Sequence, residues 1–173
     1  MSIINNRIFI VLFSLPENVV EELQRHLNRV KIITGSLKIA RSFPIVSLDF
    51  FQNLEEIRGI HPQDPKENKK HYSITIMENE NLQKLFSVRA NGKSVQIYTR
   101  NGPDGKSNPG RAFVHYNPKL CRQEIKNLLK NSMLEDPGEN SAEISYATNG
   151  DKAVCSSNKL NLTVSFQEDN KGF

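Results

Sequence analysis

The sequence of 173 residues lacks a long hydrophobic stretch. Its longest apolar run, Ile8–Phe13, is much shorter than the roughly 20 residues that a membrane-spanning helix needs. The excess of positive charge is also small, because 23 basic residues are balanced by 19 acidic ones along the chain. We therefore expect no membrane span in this chain and no nucleic-acid partner.

Residues that carry chemistry are equally scarce. The two cysteines, Cys121 and Cys155, are too few for a zinc site of four thiolates. None of the four histidines stands in a metal-ligand pattern such as His-x3-His. The sequence also contains neither a Gly-x-Ser-x-Gly nucleophile motif nor a phosphate-binding glycine loop. These absences predict a protein without enzymatic activity, cofactor or metal.

Length and composition suit a single domain. A chain of 19.7 kDa with 37% apolar residues can bury one core, and polar loops should surround that core. Near the end, the apolar residues of Leu160–Phe166 alternate with polar ones, and this period of two predicts a half-buried closing strand. We place the domain at residues 1–166 and interpret residues 167–173 as a flexible tail.

The first fifteen residues have two interpretations. Arg7 and the mostly apolar stretch 8–15 could be the charged and hydrophobic regions of a signal peptide, but Pro16 and Glu17 follow instead of a cleavage site of small residues. Alternatively, Ile8–Phe13 is a buried strand, since it is rich in β-branched and aromatic residues and ends at a turn. The residues favour the strand and leave a role of this segment as a signal peptide open.

Two helices are predicted. The first begins at Ser14, which forms a capping box with Glu17. Its apolar stripe consists of Val19, Val20, Leu23 and Leu27. The second begins at the capping residue Asn117, with Pro118 in the first turn. Its inner stripe consists of Cys121, Ile125, Leu128 and Leu129.

Short β-like segments recur along the middle of the chain. Their starts lie 21, 17, 22 and 17 residues apart, and Asn-Leu pairs at 53–54 and 81–82 stand in the connectors. This spacing predicts a solenoid in which each rung stacks on its neighbours and asparagines at the corners bind unpaired backbone groups. An ordinary mixed α/β domain is the alternative. The segments are Gly35–Ile39, Glu56–Ile60, Ser73–Met77, Val95–Tyr98 and Ala112–Tyr116.

The two cysteines can be paired or free. In a secreted protein a disulfide between Cys121 and Cys155 would close a loop of 34 residues and contribute about 3–4 kcal/mol. In a cytosolic protein both would be free and buried. The sequence Asn161-Leu162-Thr163 is an acceptor site for N-glycosylation and lies on the predicted closing strand. Both features favour an extracellular protein.

Five segments carry a resemblance to a known family. They are Ile33–Phe51, Asn53–Gly59, Asn79–Leu85, Phe113–Cys121 and Thr148–Cys155. Together they resemble the receptor L domain of the insulin receptor family, and in particular the second of its two L domains. Their order and approximate spacing agree along nearly the whole chain, and even the predicted first strand and helix are similar to the family's opening.

The resemblance implies a mostly β fold. This fold is a right-handed, single-stranded β-helix of short strands, similar to a leucine-rich solenoid, with capping α-helices. The resemblance also implies a disulfide between Cys121 and Cys155, which the family pairs. An extracellular or cell-surface location follows, in the hormone-binding half of a signalling receptor tyrosine kinase, and Asn161 would then carry the glycan of a glycoprotein.

The chain departs from the family in three places. The family's opening cysteine has no counterpart, Leu85–Val88 replaces a segment that bears tryptophan, and the loop Arg100–Arg111 is longer. No cysteine-rich, fibronectin or kinase segment is present. We therefore expect a ligand-binding or structural piece of an insulin-like receptor, without catalysis. The alternatives are a free-standing secreted decoy that binds insulin-like peptides, and a truncated gene product without an independent function.

The resemblance also implies partners. These are an insulin-like peptide hormone, which the domain alone should bind weakly, and neighbouring receptor domains or a second receptor in a dimer. A solenoid binds through a broad strand face. The outward positions that could contact the hormone are Lys38, Arg41, Arg58 and Thr75, and the alternative is that these residues only meet solvent.

Overall fold

The computed structural model describes residues 2–12, 18–59, 71–89, 92–99, 108–132, 142–145 and 147–150. The two helices are α1 (Val19–Leu27) and α2 (Arg122–Ser132). The strands are β1 (Ser2–Ile4), β2 (Ile8–Val11), β3 (Val30–Ile33), β4 (Leu37–Ala40), β5 (Glu56–Ile57), β6 (Ile74–Met77), β7 (Gln96–Thr99), β8 (Asn108–Pro109), β9 (Ala112–His115), β10 (Asn117–Cys121), β11 (Ala142–Ile144) and β12 (Asn149–Gly150).

The strands form two five-stranded sheets, between which the chain alternates. The first sheet has the order β1-β3-β5-β7-β8, and only its last pair, β7 with β8, is antiparallel. The second sheet has the order β11-β9-β6-β4-β2 and is parallel throughout. A separate parallel pair joins β10 to β12. Among β1 to β7, the odd-numbered strands therefore lie in the first sheet and the even-numbered strands in the second.

Both sheets turn their aliphatic residues toward one core. In β4 and β6 buried residues alternate with half-buried ones, which places Leu37, Ile39, Ile74 and Ile76 inside. Residues of the first sheet, such as Ile57, join the same cluster. Buried side chains of the connecting segments, of β10 and of α2 complete it: Leu48, Leu54, Leu82, Leu85, Leu120 and Ile125. The β-branched residues that predicted strands thus supply the core of both sheets.

The repeat length predicted from the sequence is about half the length after which the chain returns to the same sheet. The five segments were interpreted as successive rungs, yet they belong alternately to the second and the first sheet. Strands of the same sheet recur at about twice that spacing, since β4, β6 and β9 begin at Leu37, Ile74 and Ala112. The fold is mostly β with two helices, as predicted. The irregular spacing arises because the two connectors in each repeat differ in length.

The helix starts were predicted too early. Asn117, interpreted as a helix cap, lies in β10, and α2 begins five residues later at Arg122. At that point the Sγ atom of Cys121 accepts a hydrogen bond from the Gln123 amide at 3.4 Å. Helix α1 begins at Val19 after Asn18, so Ser14, which lies outside the described residues, is not its N-cap. Of the predicted inner stripe, Ile125 and Leu128 are buried in α2 and Leu129 is partly buried, whereas Cys121 lies before the helix in β10.

The start of the chain forms a strand where one was favoured. Ile8–Val11 pairs along its whole length with Leu37–Ala40 of the second sheet. Helix α1 follows, and Leu23 and Leu27 pack partly buried against the core. The strand ends at Val11, so Leu12 does not continue it as predicted. Phe13, the predicted closing strand Leu160–Phe166 and the tail 167–173 lie outside the described residues.

A ladder of buried polar side chains joins the corners that follow the second sheet. We name Ser42, Asn79, Asn117 and Asn149 the corner ladder. The Ser42 amide donates to Asn79 Oδ1 at 3.1 Å, the Asn79 amide donates to Asn117 Oδ1 at 3.2 Å, and the Asn117 amide donates to Asn149 Oδ1 at 3.3 Å. Each asparagine Nδ2 also donates to carbonyls of the preceding strands. The ladder therefore satisfies backbone groups that the turns leave unpaired.

The residues of this ladder were not the predicted ones. Asn53 and Asn81 were expected to point inward, but Asn53 is exposed and donates to the Asn28 carbonyl at 2.6 Å. Asn81 is half-buried and donates to the Phe43 carbonyl at 2.9 Å. The physical role was predicted correctly and its residues were not.

Candidate interaction surface

The outer face of the second sheet presents one row of side chains in register. The parallel pairing aligns Phe9 with Lys38, Lys38 with Thr75, and Thr75 with Phe113. These positions alternate with core residues, so the backbone geometry of a strand turns them outward. The Phe9 side chain is 60% exposed, and Lys38 Nζ lies 5.6 Å from the centre of its ring. The row combines aromatic surface with a positive charge.

An aromatic cluster continues this row at the other end of the sheet. The Phe113 ring lies 5.2 Å from Tyr72 and 4.2 Å from His115, on which it stacks, and His115 in turn lies 5.8 Å from Tyr116. The Arg111 guanidinium lies 5.5 Å from the Tyr72 ring. Such contacts hold the rings in place before any partner arrives.

Three residues with left-handed backbone line the end of this face. Arg41, Glu78 and Tyr116 have φ angles of 51°, 57° and 57°, and each stands directly before a member of the corner ladder. L-residues adopt this conformation at a free-energy cost that glycine avoids. At the same corner position in successive repeats, the chain thus carries arginine, glutamate and tyrosine. Strained residues of this kind cluster at functional sites.

These three residues border an open cleft of about 580 Å³, which Phe43 and Glu80 complete. The side chains of Phe43 and Tyr116 are 55% and 54% exposed. Arg41 and Glu78 form an ion pair across the cleft, and the hydrogen bond to Glu78 raises the pKa of Arg41. The lining of the cleft therefore combines two exposed aromatic rings with a paired charge.

The structure brings three of the four predicted binding residues together. Lys38 and Thr75 lie side by side on the second sheet, and Arg41 follows β4 at the edge of the same face. Arg58 lies elsewhere, directly after β5 of the first sheet. Its Nε atom is 2.7 Å from Glu56 Oε2, and the Tyr98 hydroxyl donates to the same oxygen at 2.6 Å.

The Arg58 cluster is structural in character. The hydrogen bond to Glu56 raises the pKa of Arg58, and burial, followed by the bond to Glu56, raises the pKa of Tyr98. The Arg58 side chain is only 18% exposed. An arginine held in this way by a neighbouring carboxylate has little freedom to bind a partner.

Sequence reasoning missed two aromatic residues of the surface. Phe9 was assigned to a buried strand, and the alternation that turns it outward is weak in a run of apolar residues. Phe43 follows the corner ladder in a turn, where no periodicity indicates its direction. Tyr116 and Phe113 could be found, because aromatic residues near a strand end are usual anchors of interfaces.

The other predicted site residues remain predictions. Cys121 is 8% exposed at the end of β10, whereas Cys155 and Asn161 lie outside the described residues. Within the part of the chain that the structure describes, no group of three or more His, Cys, Asp or Glu side chains could hold a metal ion. Neither described helix is long and apolar enough to cross a membrane.

Comparison with known proteins identifies the family. The family model of the receptor L domain matches residues 2–133. An insulin-like peptide receptor of Branchiostoma lanceolatum is 32% identical over 146 residues, which cover 84% of this chain and 9% of that protein. An insulin receptor-related protein of Mus musculus is 34% identical over 155 residues, with 89% and 10% covered. An insulin receptor of Xenopus laevis is 31% identical over 147 residues, with 83% and 9% covered.

The chain thus spans about a tenth of the length of these relatives. The matched residues include both sheets as far as β10 and the whole of α2. The chain belongs to the receptor L domain family, and its relatives are members of the insulin receptor family.

Proposed function

We propose that this chain is an extracellular ligand-binding or structural module of an insulin-like receptor, and that it contacts an insulin-like peptide through the outer face of the second sheet. The observation that carries this proposal is the set of exposed rings on that face, namely Phe9, Phe43 and Tyr116. Monomeric proteins rarely expose several aromatic side chains on one side unless that side binds a partner. The chain itself performs no catalysis in this proposal.

The composition of the face also supports weak binding by the isolated domain. A standard interface buries about 800 Å² per partner, and its affinity depends on aromatic and arginine anchors near the centre. Here the rings lie around the Arg41–Glu78 ion pair and not in a closed pocket. We therefore expect micromolar or weaker affinity that falls at high salt, and tighter binding when neighbouring receptor domains or a receptor dimer add contacts.

The finer fold belongs to the same proposal. Strands that alternate between two sheets along the chain are what a right-handed β-helix would produce, with α1 and α2 as its caps. In this proposal the domain occupies residues 1–166. A disulfide joins Cys121 to Cys155, and a glycan is attached to Asn161. Non-reducing mass spectrometry of secreted protein should find the two cysteines linked, whereas two thiols that react with an alkylating agent in folded protein would contradict the pairing.

Surface plasmon resonance tests the binding. The full chain, and a fusion with the flanking domains of an insulin-like receptor, are passed over an immobilised insulin-like peptide from the same organism. We expect weak binding by the chain and tighter binding by the fusion. Nanomolar binding by the chain alone would favour the secreted decoy. Absence of binding by both proteins would contradict a ligand-binding role and leave a structural spacer.

A further inference from the structure

The last member of the corner ladder stands in the dipeptide Asn149-Gly150, and the same pair also occurs at 91–92 and 101–102. Asparagine followed by glycine is the pair most prone to spontaneous deamidation, because glycine leaves its backbone nitrogen free of steric hindrance. Such a pair often forms a tight turn, but the structure places both residues in β12, parallel to β10. The fold therefore needs these residues for a reason other than a turn.

The structure requires each residue of the pair separately. Asn149 Oδ1 accepts from Asn117 Nδ2 at 2.9 Å, and Asn149 Nδ2 donates to the carbonyls of Val114 at 2.9 Å and Ser145 at 2.8 Å. Only a carboxamide both accepts and donates in this way. At the next position a Cβ atom on Gly150 would lie 2.7 Å from the Leu120 carbonyl oxygen. The ladder thus needs an amide, and the close approach to β10 needs a glycine.

We propose that Asn149 is a latent deamidation site that the corner ladder keeps closed in the folded protein. In the reaction, the Gly150 backbone nitrogen loses its proton to solvent and bonds to Cγ of Asn149. The bond from Cγ to Nδ2 then breaks, and the nitrogen leaves as ammonia. Water opens the resulting succinimide at either carbonyl and yields aspartate or isoaspartate. Water is the only co-reactant.

The ladder blocks the first step. Bonding to the Gly150 nitrogen turns the planar Cγ of Asn149 tetrahedral and expels Nδ2, so the reaction disrupts the hydrogen bonds that hold both side-chain atoms. Asn149 is only 6% exposed, so water cannot replace these bonds while the ladder is closed. The reaction therefore proceeds only from molecules in which the β12 end of the ladder has opened, and its rate reports that opening.

The product cannot close the ladder again. An aspartate at position 149 has no N–H to offer the Val114 and Ser145 carbonyls, and it would place a negative charge against two acceptor oxygens. One carboxylate oxygen could still accept from the Asn117 amide and Nδ2, but the other would face only acceptors, and burying a charge in this way destabilises the fold. Isoaspartate would in addition insert a carbon atom into the backbone of β12. Deamidation is therefore irreversible damage that marks molecules whose ladder has opened.

Peptide mapping by mass spectrometry tests this inference on the wild-type chain. The full chain is incubated at mildly alkaline pH, folded or in concentrated urea, and conversion of Asn149 to the acid is followed over time. We expect the reaction to be at least about tenfold slower in the folded chain than in urea. The deamidation rate of Asn101 in urea serves as the reference for an unfolded Asn-Gly pair in the same chain. Equal rates at Asn149 in the folded chain and in urea would overturn the proposal.

A variant tests the consequence of the reaction. Asn149→Asp should lower the Tm by at least about 5 °C, whereas Asn127→Asp, at an exposed position of α2 whose Oδ1 accepts from Gln123, should leave it nearly unchanged. An unchanged Tm in Asn149→Asp would overturn the claim that the product cannot close the ladder. Should Asn149→Asp fail to fold, the same comparison is made on wild-type chain aged in urea and refolded, in which the fraction with aspartate at position 149 should be depleted from the folded material.

Discussion

The two sheets share one core but differ in what they present to solvent. On the first sheet, charged residues are tied to one another: Lys31 Nζ lies 2.9 Å from Glu55 Oε1, Arg89 reaches the same carboxylate at 3.8 Å, and Arg58 is bound to Glu56. On the second sheet, the row from Phe9 to Phe113 carries rings and a lysine. The difference indicates that the first face stabilises the fold and that the second is available to a partner.

The ends of the strands differ as well. After the strands β4, β6 and β9 of the second sheet, the chain turns through non-glycine residues with left-handed backbone, and the corner ladder holds these turns. After β5 of the first sheet, the chain turns instead through Gly59, whose φ is 44°. One sheet thus keeps charged and aromatic side chains at its corners at a cost in strain, and the other uses the residue that avoids the strain.

Breaking the corner ladder should give the largest loss of stability. Asn117→Leu nearly conserves the volume of the side chain but leaves the buried Asn79 amide without its acceptor. It also removes the Nδ2 donor that bonds to Asn149 Oδ1 and to the carbonyls of Ile76 and His115. We expect the free energy of unfolding to fall by about 3–5 kcal/mol, as measured by urea denaturation.

The matched control for this variant is Asn53→Ala. Asn53 is exposed and makes a single bond to a backbone carbonyl, so its removal should cost about 1 kcal/mol or less. Similar losses in the two variants would show that the buried ladder contributes no more than an ordinary surface contact.

The glycine corner of the first sheet should be the next most sensitive position. In Gly59→Ala the new Cβ would lie 2.3 Å from Ser73 Oγ and 2.9 Å from Thr99 Cγ2, in addition to the left-handed backbone. We expect a loss of about 2–4 kcal/mol in the free energy of unfolding. Gly92→Ala has a similar φ of 75° with no atom within 4 Å, and should cost about 1 kcal/mol or less. Equal losses would mean that close packing is irrelevant at Gly59.

The network on the first sheet should produce a small effect that depends on pH. Tyr98→Phe removes the hydrogen bond to Glu56 and should cost about 1 kcal/mol at neutral pH. Because folding raises the pKa of Tyr98, the wild-type advantage is present below the ordinary tyrosine pKa of about 10 and is lost as the pH rises through the higher folded value. Denaturation of both proteins between neutral and strongly alkaline pH measures this difference, and a constant difference would contradict it.

Much of the fold could be predicted from local patterns. The β-branched runs located β2, β4, β6, β7 and β9, because the core selects for such residues directly. The corner ladder could not be found in this way, since Asn79 and Asn117 bond to residues that lie more than thirty positions away. Asn117-Pro118 also has the local pattern of a helix start, but the tertiary bonds of its side chain override that pattern.

The candidate surface could also be predicted only in part, because local patterns show the direction of a side chain but not its neighbours. Lys38, Arg41 and Thr75 alternate with clear core residues, so their direction follows from the strand period. Arg58 follows the same alternation. No local pattern, however, shows that Arg58 lies on the other sheet or that its guanidinium forms an ion pair with Glu56. Which residues share a face depends on how the chain alternates between the two sheets.

The central claim is that the face of the second sheet, and not that of the first, contacts the peptide. Measuring the binding of one variant on each face tests this claim most directly. The double variant Phe43→Ala/Tyr116→Ala removes two exposed rings of the second sheet's cleft, and Arg58→Ala changes the first sheet. Each variant is measured by surface plasmon resonance against an insulin-like peptide, as the chain alone and as the receptor fusion. We predict at least about tenfold weaker binding for the double variant and unchanged affinity for Arg58→Ala. Unchanged binding of the double variant together with a loss in Arg58→Ala would contradict the assignment of the two faces.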